Sequence, residues 1–170
     1  GSKIIIYDPY VKKSDPRVKE VKGKLITKLD ELMKESDFVT IHVAAVPEAE
    51  KLISKDMIAL MKPTAYFIDT ARAFLTDEDA LFEALKEKRI AGAGLDVFLT
   101  EPVDSTNRFL ELDNVTVTPH LGGDTIDVVK HHSNMIVNDI KQLIKGKKPN
   151  YIRNPEVLGK PATKKKMVKK

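Results

Sequence analysis

The sequence predicts an α/β domain built on a parallel β-sheet with helices on both faces, and two observations support this prediction. Short apolar segments such as KIIIY at 3–7 and FVTIHV at 38–43 are typical of strands buried on both sides. Amphipathic segments, with apolar residues three and four positions apart, separate such strands. Strands that alternate with helices usually pair in parallel, so we expect repeated β-α-β units.

The first predicted unit is a strand, a helix and a strand. The apolar run at 3–7 ends at Asp8 and Pro9, which do not continue a strand. Thr27 is the predicted N-cap of a helix over LDELMKES, because its hydroxyl can accept from a backbone amide of the first turn. This helix leads to the strand at 38–43.

The alternation then continues through two further helices. Ser54 is the predicted N-cap of a helix that precedes a strand at 65–69. Thr76 is predicted to begin the next helix, with Asp79 in the capping-box position, before a strand at 91–97.

The last predicted strand, NVTVT at 114–118, is followed by a long amphipathic helix over 124–145. Asp124 is its predicted N-cap, Gly146 ends it, and the histidines on it are interpreted as exposed helix residues. Its apolar face carries residues three and four positions apart: Ile126, Val129, Ser133, Ile136, Ile140 and Leu143. The proline-rich segment that follows is expected to leave the core, so we predict a domain over 1–150 and an arm with a tail over 151–170.

Composition narrows the classes of function. Residues 160–170 hold six lysines and no acid, so the other 159 residues, with 23 basic and 25 acidic side chains, present no basic face. The tail alone attracts polyanions only weakly, and we do not expect nucleic-acid binding. Cysteine is absent and the four histidines lack metal-ligand spacing, so neither a disulfide, a thiolate catalyst nor a metal site is expected. No long apolar run occurs, which favours a soluble, cytoplasmic protein.

Asp8 is a candidate ligand for a dinucleotide. An acid at the end of an early strand can accept hydrogen bonds from the ribose hydroxyls of NAD, and its charge would repel the extra phosphate of NADP. Asp8 also precedes a proline, so an Asx turn is an equally good interpretation. The glycine-rich G-x-G-x-x-G turn that holds the pyrophosphate occurs nowhere in the 170 residues.

Three polar residues follow three different predicted strands and are candidates for catalysis. Arg72 can clamp a carboxylate through two parallel hydrogen bonds, and Glu101 can pair with a histidine. His120 precedes Gly122 and Gly123, whose lack of side chains lets a ligand come close. A histidine paired with a carboxylate can act as a general acid or base near neutral pH. Taken singly, each residue is explained better by an ordinary structural role: an ion pair for Arg72, a solvated loop acid for Glu101 and a turn histidine for His120.

The segments FVTIHV, LMKPTAYFIDTARAFLTDEDALFEALKEKRIAGAGLDVF, EPV and NVTVTPHLGG together resemble the D-isomer-specific 2-hydroxyacid dehydrogenases. The resemblance runs from Lys3 to about Leu158. It implies a Rossmann-like fold and hydride transfer between C2 of a 2-hydroxy or 2-keto acid and the nicotinamide of NAD. It also implies that Arg72 binds the substrate carboxylate and keto oxygen, that His120 exchanges the hydroxyl proton, and that Glu101 favours the protonated form of His120.

The same resemblance implies contacts to NAD from residues that follow the strands: Asp8, Val43, Ala44, Thr70, Ala71, Arg72, Asp96, His120, Gly122 and Gly123. Three positions depart from the family pattern, with Ala44 in place of the usual proline, Thr64 in place of glycine, and Phe74 close after the arginine. None of these departures removes a catalytic group.

The resemblance also leads us to expect a fragment. Members of the family have a substrate domain and a glycine-rich strand–helix unit before the strand matched by 3–7, and Gly1-Ser2 is typical of a cloning scar. In the strand order 3-2-1-4-5-6 the missing strand is central, between those matched by 3–7 and 38–43. We expect the two free edges to pair directly, or chains to associate as a homo-oligomer or a strand-swapped dimer. Such a fragment is expected to have no useful turnover.

Two other functions are compatible with these residues. Corepressor-like regulatory proteins of the same fold keep the same arginine, glutamate and histidine, so these three residues do not separate an enzyme from an NAD-binding regulator. A module that interacts through its lysine tail is a further alternative.

Overall fold

The computed structural model describes residues 1–157, and their parallel α/β alternation confirms the predicted fold class. The six strands are β1 Ile5–Tyr7, β2 Lys24–Ile26, β3 Phe38–Ile41, β4 Tyr66–Asp69, β5 Gly92–Leu95 and β6 Val115–Val117. The α-helices are α1 Pro16–Glu20, α2 Leu29–Glu35, α3 Lys55–Ala59, α4 Glu78–Lys86 and α5 Ile126–Ile144. Short 3-10 helices lie at Pro47–Ala49, Ala73–Leu75, Arg108–Glu111 and Pro155–Val157. The predicted lysine tail at 160–170 lies outside the described residues.

Every strand belongs to a first compact unit, residues 1–122, and the strands form two parallel sheets. One sheet pairs β1 with β2, and the other has the order β3-β4-β5-β6. The expectation that the edges of β1 and β3 pair directly is therefore wrong. Helix α2 contacts β1, β2 and α3, so side-chain packing joins these elements without a β1–β3 ladder. Association between chains stays a prediction.

The core of this unit lies on one side of the four-stranded sheet. Successive residues of a strand point to opposite faces of the sheet. In β4 the side chain of Phe67 is therefore buried in the core, whereas those of Tyr66 and Ile68 point to the other face. The buried side chains of the sheet join those of α2, α3 and α4 in one cluster, which includes Val39, Ile41, Phe67, Ala93, Leu95, Met33, Ile58, Leu81 and Leu85. On the opposite face Phe38 stacks on Tyr66 with ring centroids 5.5 Å apart, and both rings are largely exposed.

The second compact unit begins at Gly123 and contains α5 and the segment after it. Gly146 ends the helix as predicted and has a φ of +66°, a conformation that glycine adopts without strain. The carboxylate of Asp139 accepts from the amides of Asn150 and Tyr151 at 2.7 and 3.1 Å, so the chain turns back beside the helix. Of the residues that the structure describes, none forms a helix long and apolar enough to cross a membrane.

The predicted helix caps are correct at one position and displaced at three. Ser54 caps α3 by accepting from the amide of Met57. Helix α2 begins after Lys28 without a side-chain cap, not after Thr27. Asp77 rather than Thr76 caps α4, and Thr125 rather than Asp124 caps α5. The caps Ser54, Asp77 and Thr125 each accept from the amide three residues ahead, whereas the hydroxyl of Thr76 is engaged by Asp69.

Two elements between β1 and α2 were missed, and β1 is less buried than predicted. Asp15 caps α1 and Pro16 occupies its first turn, a local signal for a helix start that the apolar pattern does not show. The strand β2 has only two apolar residues, between Lys24 and Thr27, so it shows no recognisable apolar run. Each residue of β1 is half-buried, because its sheet has only two strands.

Candidate active site

The register of the four-stranded sheet places the ends of its strands at one edge. Ile41 pairs with Asp69, Asp69 with Leu95, and Leu95 with Val117, so all four strands end level with one another. Because the strands are parallel, the residues that follow them emerge along this carboxyl edge, where open α/β sheets bind ligands. These residues are His42, Thr70, Asp96 and Thr118.

His120 and Glu101 form a direct pair in the first unit. Nδ1 of His120 lies 2.8 Å from Oε2 of Glu101, and the Oε1 atom of the same carboxylate accepts from the amide of Phe98 at 3.0 Å. The hydrogen bond from His120 and that from Phe98 hold the pKa of Glu101 below its usual value, so this side chain is a carboxylate. A carboxylate only accepts hydrogen bonds, so Nδ1 is the donor and Nε2 of a neutral ring is left to accept a proton.

Arg72 projects from the turn after β4 and is exposed. Its positive charge makes the smallest contribution to the lowered pKa of Glu101, and among the described residues no hydrogen bond or ion pair joins Arg72 to Glu101 or His120. Nη1 of Arg72 donates to the carbonyl of Ala71 at 2.6 Å. The structure thus brings Glu101 and His120 into contact, whereas Arg72 follows β4 in a separate loop and contacts neither side chain directly.

Asp69 is a buried acid that organises the turn bearing Arg72. It is 2 % exposed, and its carboxylate accepts from the amide of Ala71 at 2.9 Å and from the hydroxyl of Thr76 at 3.3 Å. Burial raises the pKa of Asp69 more than these hydrogen bonds lower it. This role was not predicted, although Asp69 lies two residues after buried Phe67 and thus on the same inward face of β4.

The variant Asp69→Asn is expected to gain stability relative to the wild type as the pH rises. The folded chain holds the Asp69 proton more tightly than the unfolded chain, whose pKa is near 3.8. The contribution of Asp69 to the free energy of unfolding therefore falls as the pH rises from 3.8 through the raised, folded pKa. Asparagine keeps the acceptor for Ala71 and does not ionise. Urea unfolding at a series of pH values measures the difference.

Asp104 provides a matched control with the opposite sign. Hydrogen bonds from the hydroxyl and amide of Thr106 lower its pKa, so its contribution to stability is present above 3.8 and is lost as the pH falls through the folded value. Asp104→Asn should therefore lose stability relative to the wild type as the pH rises. If the free energies of unfolding of the wild type and Asp69→Asn changed in parallel with pH, the raised pKa of Asp69 would be contradicted.

A cavity of about 310 Å³ lies beside the Glu101–His120 pair. Its walls are mostly apolar and consist of Phe98, Pro102, Val103 and Pro119 together with the two paired residues. A mainly apolar cavity with a few convergent polar groups is the usual form of a small-molecule site.

The predicted cofactor residues lie at strand ends but in different settings. Asp8 ends β1 in the two-stranded sheet, and its Oδ1 accepts from the amide of Tyr10 at 2.8 Å, which is the Asx turn offered as the alternative. Val43 and Ala44 follow β3 and are exposed. A Cβ added to Gly123 would meet no atom within 4 Å, so open space surrounds this residue.

Asp96 and Gly122 come together from two loops. Asp96 follows β5 and is 4 % exposed, and its Oδ2 accepts from the amide of Gly122 at 2.7 Å. A Cβ on Gly122 would lie 3.6 Å from the Cβ of Thr70, so the turn after β4 reaches the same place. Three of the predicted cofactor residues thus meet at the carboxyl edge.

This fold and these strand-end residues define a dinucleotide-binding domain of the dehydrogenase type, and comparison with known proteins identifies the family. Residues 1–122 match the family described as D-isomer specific 2-hydroxyacid dehydrogenase, NAD binding domain. The chain belongs to this family.

Named relatives agree with the assignment. The chain is 41 % identical to the D-3-phosphoglycerate dehydrogenase of Methanocaldococcus jannaschii over 159 residues, which are 92 % of this chain and 30 % of that protein. It is 40 % identical to the glyoxylate reductase of Thermofilum pendens over 143 residues, which are 84 % of this chain and 42 % of that protein. The chain thus spans less than half the length of either relative.

Solved structures show the same fold. The D-lactate dehydrogenase of Lactobacillus jensenii with NAD+ superposes with a TM-score of 0.78 at 29 % identity, over 89 % of this chain and 48 % of that one. The apo D-mandelate dehydrogenase of Rhodotorula graminis superposes with a TM-score of 0.79 at 31 % identity, over 89 % of this chain and 45 % of that one.

Proposed function

We propose that this chain supplies the NAD-binding and acid–base part of an enzyme that interconverts a D-2-hydroxy acid and a 2-keto acid. The observation that supports it most is the Glu101–His120 pair beside an apolar cavity, and Arg72 follows the neighbouring strand β4. A general base, a carboxylate partner and a cation for the substrate carboxylate are the side chains that this reaction requires.

In the direction of oxidation, Nε2 of His120 takes the proton of the substrate hydroxyl while the C2 hydrogen leaves as hydride. NAD+, when bound, supplies the hydride acceptor. Glu101 holds Nδ1 of His120 and stabilises the imidazolium that forms, and the guanidinium of Arg72 holds the substrate carboxylate. In the reverse direction His120 returns the proton to the keto oxygen.

The predicted cofactor residues of the first unit fit NAD in part. Asp8, which follows β1 in the two-stranded sheet, offers a carboxylate for ribose hydroxyls, and Thr70, Asp96 and Gly122 meet at the carboxyl edge of the four-stranded sheet. The glycine-rich turn that anchors the pyrophosphate is not among the 170 residues. We therefore expect the chain by itself to bind NADH with a dissociation constant above the micromolar range and to show no useful turnover. Titration followed by NADH fluorescence measures this affinity, and a micromolar dissociation constant would contradict it.

Activity is best tested in a hybrid enzyme. In the hybrid, this chain replaces the region that it matches in the D-3-phosphoglycerate dehydrogenase of M. jannaschii. We expect NADH-dependent reduction of at least one 2-keto acid from a panel of phosphohydroxypyruvate, hydroxypyruvate, glyoxylate and pyruvate. A folded hybrid that binds NADH and reduces none of them would overturn the proposed function.

A further inference from the structure

The loop that carries His120 is built around the carboxylate of Asp96. Oδ1 of Asp96 accepts from the hydroxyl of Thr118 and from the amide of Leu121, the latter at 2.7 Å. Oδ2 accepts from the amide of Gly122 at 2.7 Å. One buried carboxylate thus receives three hydrogen bonds, from residues on both sides of His120. These bonds fix the path of the chain into and out of the histidine.

The backbone of His120 has a conformation that must be held in place. Its φ is 57°, in the left-handed region that residues other than glycine seldom adopt. Such a conformation persists when surrounding contacts over-determine it. Within the loop the backbone amide of His120 donates to the carbonyl of Thr118 at 3.0 Å. The hydrogen bonds to Asp96 fix the residues on either side of His120.

Gly122 gives independent support, because its lack of a side chain leaves room for the same carboxylate. A Cβ at this position would lie 2.8 Å from Oδ2 of Asp96, which is closer than real Cβ contacts permit. A Cβ added to Gly123, by contrast, would meet no atom within 4 Å. The structure therefore requires glycine at 122 in order to keep Asp96 in contact with the loop.

We propose that Asp96 is a positioning residue, which through the 118–122 loop holds His120 with its Nδ1 toward Glu101. This inference rests on the proposed function, because it concerns the presentation of Nε2 to a substrate. Burial opposes the charge on Asp96, but the hydrogen bonds from Thr118, Gly122 and Leu121 more than offset it and lower the pKa of Asp96. A charged, acceptor-only group is what three converging donors require.

The proposal is tested by nitrogen-15 NMR of the histidine rings in the ligand-free 170-residue chain, at a pH that keeps the rings neutral. The His120 signals are assigned by their loss in His120→Asn. In the wild type His120 is expected as the Nδ1–H tautomer, because Glu101 accepts from Nδ1. The variant Asp96→Asn keeps the side-chain volume but turns one hydrogen-bond acceptor into a donor. We expect the 118–122 loop to shift as a result, so that the Nε2–H tautomer of His120 becomes the major form.

Matched variants separate positioning from a general loss of structure. Thr118→Val, which removes one donor to Asp96, should shift the tautomer in the same direction, and Thr118→Ser should restore the wild-type spectrum. Gly122→Ala should also shift it, whereas Gly123→Ala should not. Amide spectra of each variant must retain the dispersion of the β3–β6 sheet, which identifies a folded chain.

A folded Asp96→Asn variant that keeps the Nδ1–H tautomer would overturn the proposal, as would equal effects of Gly122→Ala and Gly123→Ala. Because the readout needs neither cofactor nor substrate, it is independent of turnover. Failure of the hybrid enzyme with a normal tautomer response would therefore refute the function and leave the positioning role intact.

Discussion

Replacing His120 by asparagine in the hybrid enzyme is expected to lower kcat by about 10²- to 10⁴-fold, the usual contribution of a positioned general acid or base. The amide can donate and accept hydrogen bonds but cannot carry the proton that the reaction moves between the hydroxyl and the solvent. The Michaelis constant for NADH should change far less than kcat, because the proton transfer occurs at the substrate oxygen and His120 is only one of the residues expected to contact NAD. Steady-state kinetics with saturating NADH and keto acid measures both constants.

His131→Asn is the matched control for this variant. His131 is exposed on α5, and the same substitution there should leave kcat at its original value. If His120→Asn retained more than a tenth of the wild-type kcat while NADH binding was normal, the proton would have to move through another group, and His120 would not be the general acid or base.

Replacing Arg72 by glutamine in the same hybrid is expected to lower kcat/KM for the keto acid by about 30-fold to several thousand-fold. Removing one partner of a desolvated, hydrogen-bonded charge pair costs about 2–5 kcal/mol, and each 1.4 kcal/mol is a factor of ten. The loss should appear largely in the Michaelis constant for the keto acid, because the substrate carboxylate loses a bidentate partner before and during the reaction.

Two substitutions test whether this loss comes from the shape of the guanidinium or from charge alone. Arg72→Lys keeps the charge but not the planar pair of donors, so it should recover only part of kcat/KM. Arg89→Gln removes a surface arginine that pairs with Glu87 at 2.8 Å and should have little effect. Full activity of Arg72→Lys would show that bidentate binding is not required, and full activity of Arg72→Gln would exclude Arg72 from substrate binding.

The fold class and most elements were predictable because their signals are local. The strands β3, β4 and β5 are bounded runs of apolar or small residues, and the Ser54 cap of α3 lies within one helical turn of its partner amide. The caps at Asp77 and Thr125 were missed, because adjacent polar residues compete for the same role and the sequence does not rank them. β2 was missed because its two apolar residues form no recognisable run, whereas β1 and β6, which are equally short, lie within longer apolar or alternating runs.

The candidate catalytic residues were predictable for a different reason. Each of Arg72, Glu101 and His120 comes after a strand, and the rule that parallel strands end at one edge brings them to the same region. In the structure, Nδ1 of His120 lies 2.8 Å from Oε2 of Glu101. Roles that depend on residues far apart in the sequence were not predictable, since nothing local links Asp96 to Thr118 or Gly122.

A parallel α/β domain with a histidine, a glutamate and an arginine after its strands was predictable from the sequence alone, because periodicity and strand ends are local properties. The tertiary structure alone decided that the strands divide into two sheets, since the pairing of β1 and β3 depends on how helices pack and not on either strand. It also decided how His120 is held. The three donors that converge on Asp96 lie 22 to 26 residues away along the chain, and only folding brings them to one carboxylate.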